Sequence, residues 1–159
     1  MNAVLKGSVA LAVAVALVSI LIAVTGLHTN PMVSGLVSIV VFVLFTVAAV
    51  LWVLKQTAAD NGYGRQLLNG LLLGVVSGVL IFVFSWLILT VLFPDYLGES
   101  QDAMVFMLEN SGLPEAQLNA QIAKVEAATP TSNAFSGMIG TIITSLVVSA
   151  IVAIFFRKK

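Results

Sequence analysis

Three carboxylates, Asp95, Glu99 and Asp102, stand at i, i+4 and i+7, a spacing that puts them on one face of a helix. Such a face could hold a divalent cation loosely, dock a basic partner, or stay solvated and away from anionic lipid. The solvated face is the leading reading, because nothing like an EF-hand loop surrounds the three acids. Their charges also suit a helix N-terminus, where the dipole favours anions. His28 is the single histidine, at the start of the turn His28-Thr29-Asn30-Pro31. A place at a membrane rim is favoured for it over a proton shuttle or metal ligand. There is no cysteine, which removes disulfides, thiolate nucleophiles and thiolate metal sites.

General acid–base or nucleophilic catalysis needs ionisable groups held near a reacting atom, and the long apolar stretches carry none. A serine hydrolase elbow of the form Gly-x-Ser-x-Gly is absent. No aspartate lies in a span, which removes a paired-aspartate intramembrane protease. Gly62-Tyr63-Gly64 lacks the Gly-Lys-Ser/Thr run that cradles phosphate. The expectation is a protein that is not an enzyme, with no catalytic residue, cofactor or metal, and no nucleic-acid partner.

The elements that must position these residues are four apolar stretches, at about 7–27, 32–54, 67–93 and 134–156. Each reaches the ~20 residues that cross a bilayer core as a helix. A hydrophobic content of 60%, a charged content of 9% and a mean hydropathy of +1.11 exclude an ordinary soluble domain, whose charged share is about 25%. A transmembrane barrel would need short strands with apolar/polar alternation, and these runs are unbroken. The predicted fold is an all-α membrane protein: a four-helix transmembrane bundle, residues 1–159 as one membrane domain, with a helical extracytoplasmic excursion between helices three and four.

Orientation follows from the bases. With the N terminus inside, Lys6, Lys55, Arg65, Arg157, Lys158 and Lys159 are cytoplasmic and only Lys124 lies outside, which satisfies the positive-inside rule. The chain is therefore expected to be N-in and C-in, with 94–133 outside. A cleaved signal peptide fits poorly, since the first apolar core is longer than a signal core and Ala23-Val24-Thr25 is a weak cleavage site.

Gly70, Gly74 and Gly78 recur every four residues on helix three, lining one face where another backbone can approach. Helix four answers with Gly137, Thr141, Ser145 and Ser149. Counting depth from the inner ends sets Gly78 level with Ser145 and Gly74 near Ser149, in an antiparallel seam. Intrachain packing is the leading reading of this face and homodimerisation the alternative.

Helix three should stop at Pro94. In the outer segment 95–132, residues 96–110 read as one short helix, with Leu97, Met104, Met107 and Leu108 able to share a face. Gly112 breaks it, and a second begins around Pro114, with Leu118, Ile122 and Val125 at i, i+4 and i+7. The candidate partner surface is Asp95, Glu99, Asp102, Met104, Met107 and Leu108. The inner connection 55–66 reads as a turn around Asn61-Gly62 and Gly64.

Several phrases together resemble one family over nearly the whole chain. They are Asn30-Pro31 after the first span, Gly62-Tyr63-Gly64 leading into the Gly-rich third span, Pro94-Asp95-Tyr96 at its exit, Ser111-Gly112-Leu113-Pro114-Glu115-Ala116-Gln117, and the closing Phe156-Arg157-Lys158-Lys159. The family is the one known as domain of unknown function 4199. The resemblance implies a small four-span protein of the bacterial inner (cytoplasmic) membrane, and carries no activity with it. The leading expectation is a non-enzymatic accessory or scaffold in the lipid bilayer, binding a membrane-protein partner or itself as a homo-oligomer. The alternative is a small transporter or channel component.

Overall fold

Helix starts follow local capping chemistry. Asn2 opens α1 (Ala3–Val24), its side-chain oxygen accepting from the Leu5 amide at 3.0 Å. Asn30 does the same for α2 (Pro31–Gln56), accepting from the Val33 amide at 3.2 Å, with Pro31 where a missing N–H costs nothing. Thr129 and Ser132 form a reciprocal capping box at the start of α6 (Pro130–Val152). The structure, a computed structural model, describes residues 2–156. Arg157, Lys158 and Lys159, which entered the orientation argument, lie outside the described residues.

Between α2 and α6 the chain forms α3 (Tyr63–Leu87), whose last turn widens into a π-helical segment (Ile88–Leu92), and then two short helices, α4 (Tyr96–Glu109) and α5 (Glu115–Glu126). Among the described residues, four helices are long and apolar enough to cross a membrane: Ala3–Val24, Pro31–Gln56, Tyr63–Leu92 and Pro130–Val152. The third, 30 residues with its π segment, is about 45 Å long at 1.5 Å per residue and must tilt or project beyond the hydrocarbon. The protein is an all-α membrane protein with a helical hairpin, α4–α5, between its last two spans.

The helix ends correct two sequence readings. Tyr63 to Gln66 form the first turn of α3 and Lys55 and Gln56 the end of α2, so the connection is shorter than 55–66. α6 ends at Val152, one turn before the 156 read from the apolar run, while α5 begins beside Pro114 as expected.

In cross-section the spans run α1, α2, α6, α3 around a ring, with α3 packed most extensively on α6. The two ends of this ring differ. At the end of the α2–α3 turn, Leu11, Val50, Val53, Leu54, Leu73 and Ala153 form a closed apolar core. At the hairpin end, α2 contributes no fully buried side chain: its buried residues are Thr46, Val50, Val53 and Leu54, while Met32, Leu36 and Ile39 are 78%, 66% and 66% exposed.

Candidate functional site

The glycine seam is a fitted surface. A methyl group at Gly70 would collide with the Ser149 side chain, one at Gly74 would lie 2.8 Å from Ser145 Cβ, and one at Gly78 would lie 3.1 Å from the Met138 carbonyl oxygen. Gly70 therefore faces Ser149 and Gly74 faces Ser145, one turn away from the expected pairing of Gly78 with Ser145. The shift has a visible origin: α6 ends at Val152, one turn before the 156 expected from the apolar run, and Gln66, assigned to a loop by sequence, belongs to α3 and reaches the Phe156 carbonyl beyond that end. Thr141 is buried and donates to the Gly137 carbonyl at 2.7 Å, while Gly137 faces Ile81. Because α6 fills this face, the homodimer alternative has no free glycine surface there.

Gln66 itself has no exposed surface. Its amide donates to the Leu54 carbonyl at 2.8 Å and the Phe156 carbonyl at 2.7 Å. Its side-chain oxygen accepts from the Thr57 hydroxyl at 2.7 Å, and Asn69 donates to the same Thr57 hydroxyl at 3.2 Å. One side chain thus closes the end of α2 and the end of α6. A glutamine and an asparagine at i and i+3 in the opening of an apolar helix were the available signal, masked by the turn residues just before them.

At the hairpin end His28 follows Gly26, whose φ of 69° turns the chain sharply after α1. The imidazole is 6% exposed and its Nε2–H donates to the Glu99 carboxylate at 2.7 Å. Tyr96 stacks on it with ring centroids 4.4 Å apart and planes 20° from parallel. Burial pushes the Tyr96 phenol above its ordinary pKa, so it remains a neutral donor at physiological pH. All three acids are exposed: Glu99 accepts from His28 with its side chain still 56% exposed, Asp95 stands at the N-cap position of α4 without a side-chain capping bond, and Asp102 faces outward on α4. Among the described residues no three His, Cys, Asp or Glu groups converge in a geometry that could hold a metal.

The hairpin is tied internally by Gln101, whose amide donates to the Val125 and Ala128 carbonyls at 2.7 and 2.9 Å, satisfying the open C-terminal end of α5. Leu108 is 7% exposed and packs inward, which removes it from the candidate partner surface. Met104 is half-buried and Met107 is 39% exposed. Phe106, which the sequence reading passed over, is 70% exposed.

Between the splayed α2 and the other spans lies a cavity of about 350 Å³, walled by Val15, Ile22, Ile39, Phe42 and Ile81. Ser19, Ser85, Tyr96 and Asn133 line both it and a smaller adjoining space of about 70 Å³. The closed core lies between this cavity and the α2–α3 turn.

No curated protein and no solved structure matches the chain. The chain belongs to the family described as protein of unknown function (DUF4199), whose match runs over residues 7–158 and so includes both polar ties, the glycine seam and the hairpin.

Proposed function

We propose that the protein is a non-enzymatic accessory of the bacterial inner membrane that binds a second membrane protein through the free face of α4. The observation that carries this reading is Phe106, an aromatic side chain 70% exposed beside Met107 on a helix already anchored to the bundle by His28 and Glu99. Aromatic residues set in a small apolar spot are the usual energetic centres of interfaces. Around this one the segment carries Asp95, Glu99, Asp102, Glu109, Glu115 and Glu126 against a single Lys124. That charge opposes anionic headgroups and favours a partner with a basic rim around an apolar pocket. A photo-crosslinker at position 107 should capture one membrane protein in cells, and Phe106→Ser should cut that product about tenfold, the effect of losing ~1.4 kcal/mol. Crosslinks to phospholipid alone, or a product indifferent to Phe106→Ser, would defeat the reading.

In this reading both ends of the chain are cytoplasmic and the hairpin is outside, as the distribution of basic residues favours. The chain has no native cysteine, so Ala120→Cys should react with an impermeant thiol reagent in intact cells and Asp60→Cys only after permeabilisation; the reverse pattern would invert the topology. Both positions are exposed.

The cavity beside α2 favours a second reading, a small transporter component. Solute flux by the protein alone in vesicles would support it, and silence there together with a specific crosslinked partner would remove it.

A further inference from the structure

The geometry points to a binding site in the hairpin half of the bundle for a neutral, membrane-dissolved lipid whose head is an uncharged oxygen, a hydroxyl or a carbonyl. The apolar body would occupy the 350 Å³ cavity, a size within the ~300–1,000 Å³ range of small-molecule sites. The head would sit where Ser19, Ser85, Tyr96 and Asn133 converge from α1, α3, α4 and α6. Nothing in this site depends on the face carrying Phe106, so it stands or falls separately from partner binding.

Chemistry selects the occupant. The walls are aliphatic and aromatic, and the lining residues include no Asp, Glu, Lys, Arg or His. An ionised head would have to be desolvated there without a counter-charge, which is costly. Tyr96, the one titratable group present, is kept neutral by burial and offers a hydroxyl donor. Ser19 already donates to the Val15 carbonyl at 3.1 Å, leaving its lone pairs as acceptors. The Ser85, Tyr96 and Asn133 side chains make no hydrogen bond to another described residue. Two part-buried hydroxyls from α3 and α4, with the exposed Asn133 amide of α6 at the rim, face one pocket without side-chain partners and match a head that both donates and accepts. Entry has a route, since Ser38 and Ile39 line the cavity and are also exposed along the loosely packed part of α2. The closed core below means that occupancy does not require passage through the bundle.

Gly140 supplies the decisive variant. It lines the cavity, and a Cβ added there meets nothing within 4 Å, so the larger Gly140→Leu side chain has open space to grow into and should occupy the cavity. The probe is a long-chain alcohol carrying a photoreactive group in its chain, applied to the purified protein in vesicles, beside otherwise identical chains ending in a carboxylate or in plain hydrocarbon. Wild type should show saturable labelling of cavity residues by the alcohol, competed by unlabelled alcohol and at least about tenfold stronger than by the carboxylate. Gly140→Leu should abolish that saturable labelling while the melting temperature holds or rises, and Ser38→Phe at the entrance should reduce it independently. Tyr96→Phe combined with Ser85→Ala should weaken alcohol labelling by about fivefold or more, the loss of one to two hydrogen bonds, and leave the hydrocarbon probe unchanged. The proposal is overturned by labelling that does not saturate and spreads evenly over lipid-facing Leu17 and Leu36, which is bulk lipid only. It is also overturned by equal labelling with the carboxylate, or by a folded Gly140→Leu or Ser38→Phe protein that labels like wild type.

Discussion

Replacing Gly70 with alanine should destabilise the bundle by about 1–3 kcal/mol, the usual cost of forcing a methyl group into a packed core, and a second substitution at Ser149 should undo it. The added methyl would collide with both the hydroxyl and the Cβ of Ser149, and the next neighbour, the Ser145 carbonyl oxygen, is an ordinary 3.7 Å away. The clash therefore belongs to one partner. Ser149→Ala keeps the Cβ and should rescue Gly70→Ala only in part, whereas Ser149→Gly removes both atoms and should rescue most of it. The Ser149 hydroxyl is also buried without a hydrogen-bond partner among the described residues, so Ser149→Ala alone should be neutral or slightly stabilising. Denaturant titration in micelles of the four proteins of each cycle, one with Ser149→Ala and one with Ser149→Gly, gives the coupling, expected within the ~0.5–3 kcal/mol typical of residues in contact. A Gly70→Ala protein as stable as the native one, or a double variant no better than the single, would mean that the seam does not close on Ser149.

How far such a seam can be read from sequence is instructive. Glycine every fourth residue survives any error in helix boundaries, because the face depends only on helical periodicity, and so the pairing of α3 with α6 was legible. The level of that pairing depends on where each helix starts and stops. It was missed by a turn because the apolar run continues to Phe156 whereas α6 itself ends at Val152. Gln66, read as loop just after Asn61-Gly62, ties that end together through partners no local pattern reveals, the Leu54 and Phe156 carbonyls 12 and 90 residues away.

The hairpin end was harder for the same reason. Short-range periodicity located α4 and α5, but the phase of α4 against the bundle is set by His28 and Glu99, 71 residues apart. Once that bond and the stack with Tyr96 orient the helix, Leu108 turns in and Phe106 turns out. Seen alone, α4 is apolar at 104–108 and nothing in it ranks one side over the other. The cavity was equally hidden, since Ser19, Ser85, Tyr96 and Asn133 lie on separate elements and meet only because the hairpin half of α2 stands away from the other spans.

Gln66→Leu should be strongly destabilising at the opposite end of the bundle, costing about 2 kcal/mol or more. The last carbonyls of a helix have no partner within it, and that of Leu54, a residue with no exposed surface, cannot turn to water. Gln66 satisfies Leu54 at the end of α2 and Phe156 beyond the end of α6 with the two hydrogens of one amide, while its oxygen accepts from Thr57. Leucine fills nearly the same volume, so packing is preserved and the loss isolates the polar contribution: the Leu54 and Phe156 carbonyls lose a partner at once, each unmet buried group costing ~1–3 kcal/mol before relaxation, while the Thr57 hydroxyl still donates to the Val53 carbonyl at 3.0 Å. Gln66→Asn keeps the amide but is shorter by one methylene, too short to bridge both carbonyls, and should fall between. Gln66→Glu removes both donors and sets an oxygen against two carbonyl oxygens, so at neutral pH it should be worse than leucine. Thr57→Val takes away the hydroxyl and leaves both carbonyls capped, and should cost the least. Denaturation midpoints of these four variants in micelles test the order, and proteolysis within residues 57–62 tests its location, since losing the clasp should free that connection before the rest of the bundle opens. A Gln66→Leu protein with a native midpoint and a protected connection would show that the two helix ends are held by apolar packing alone.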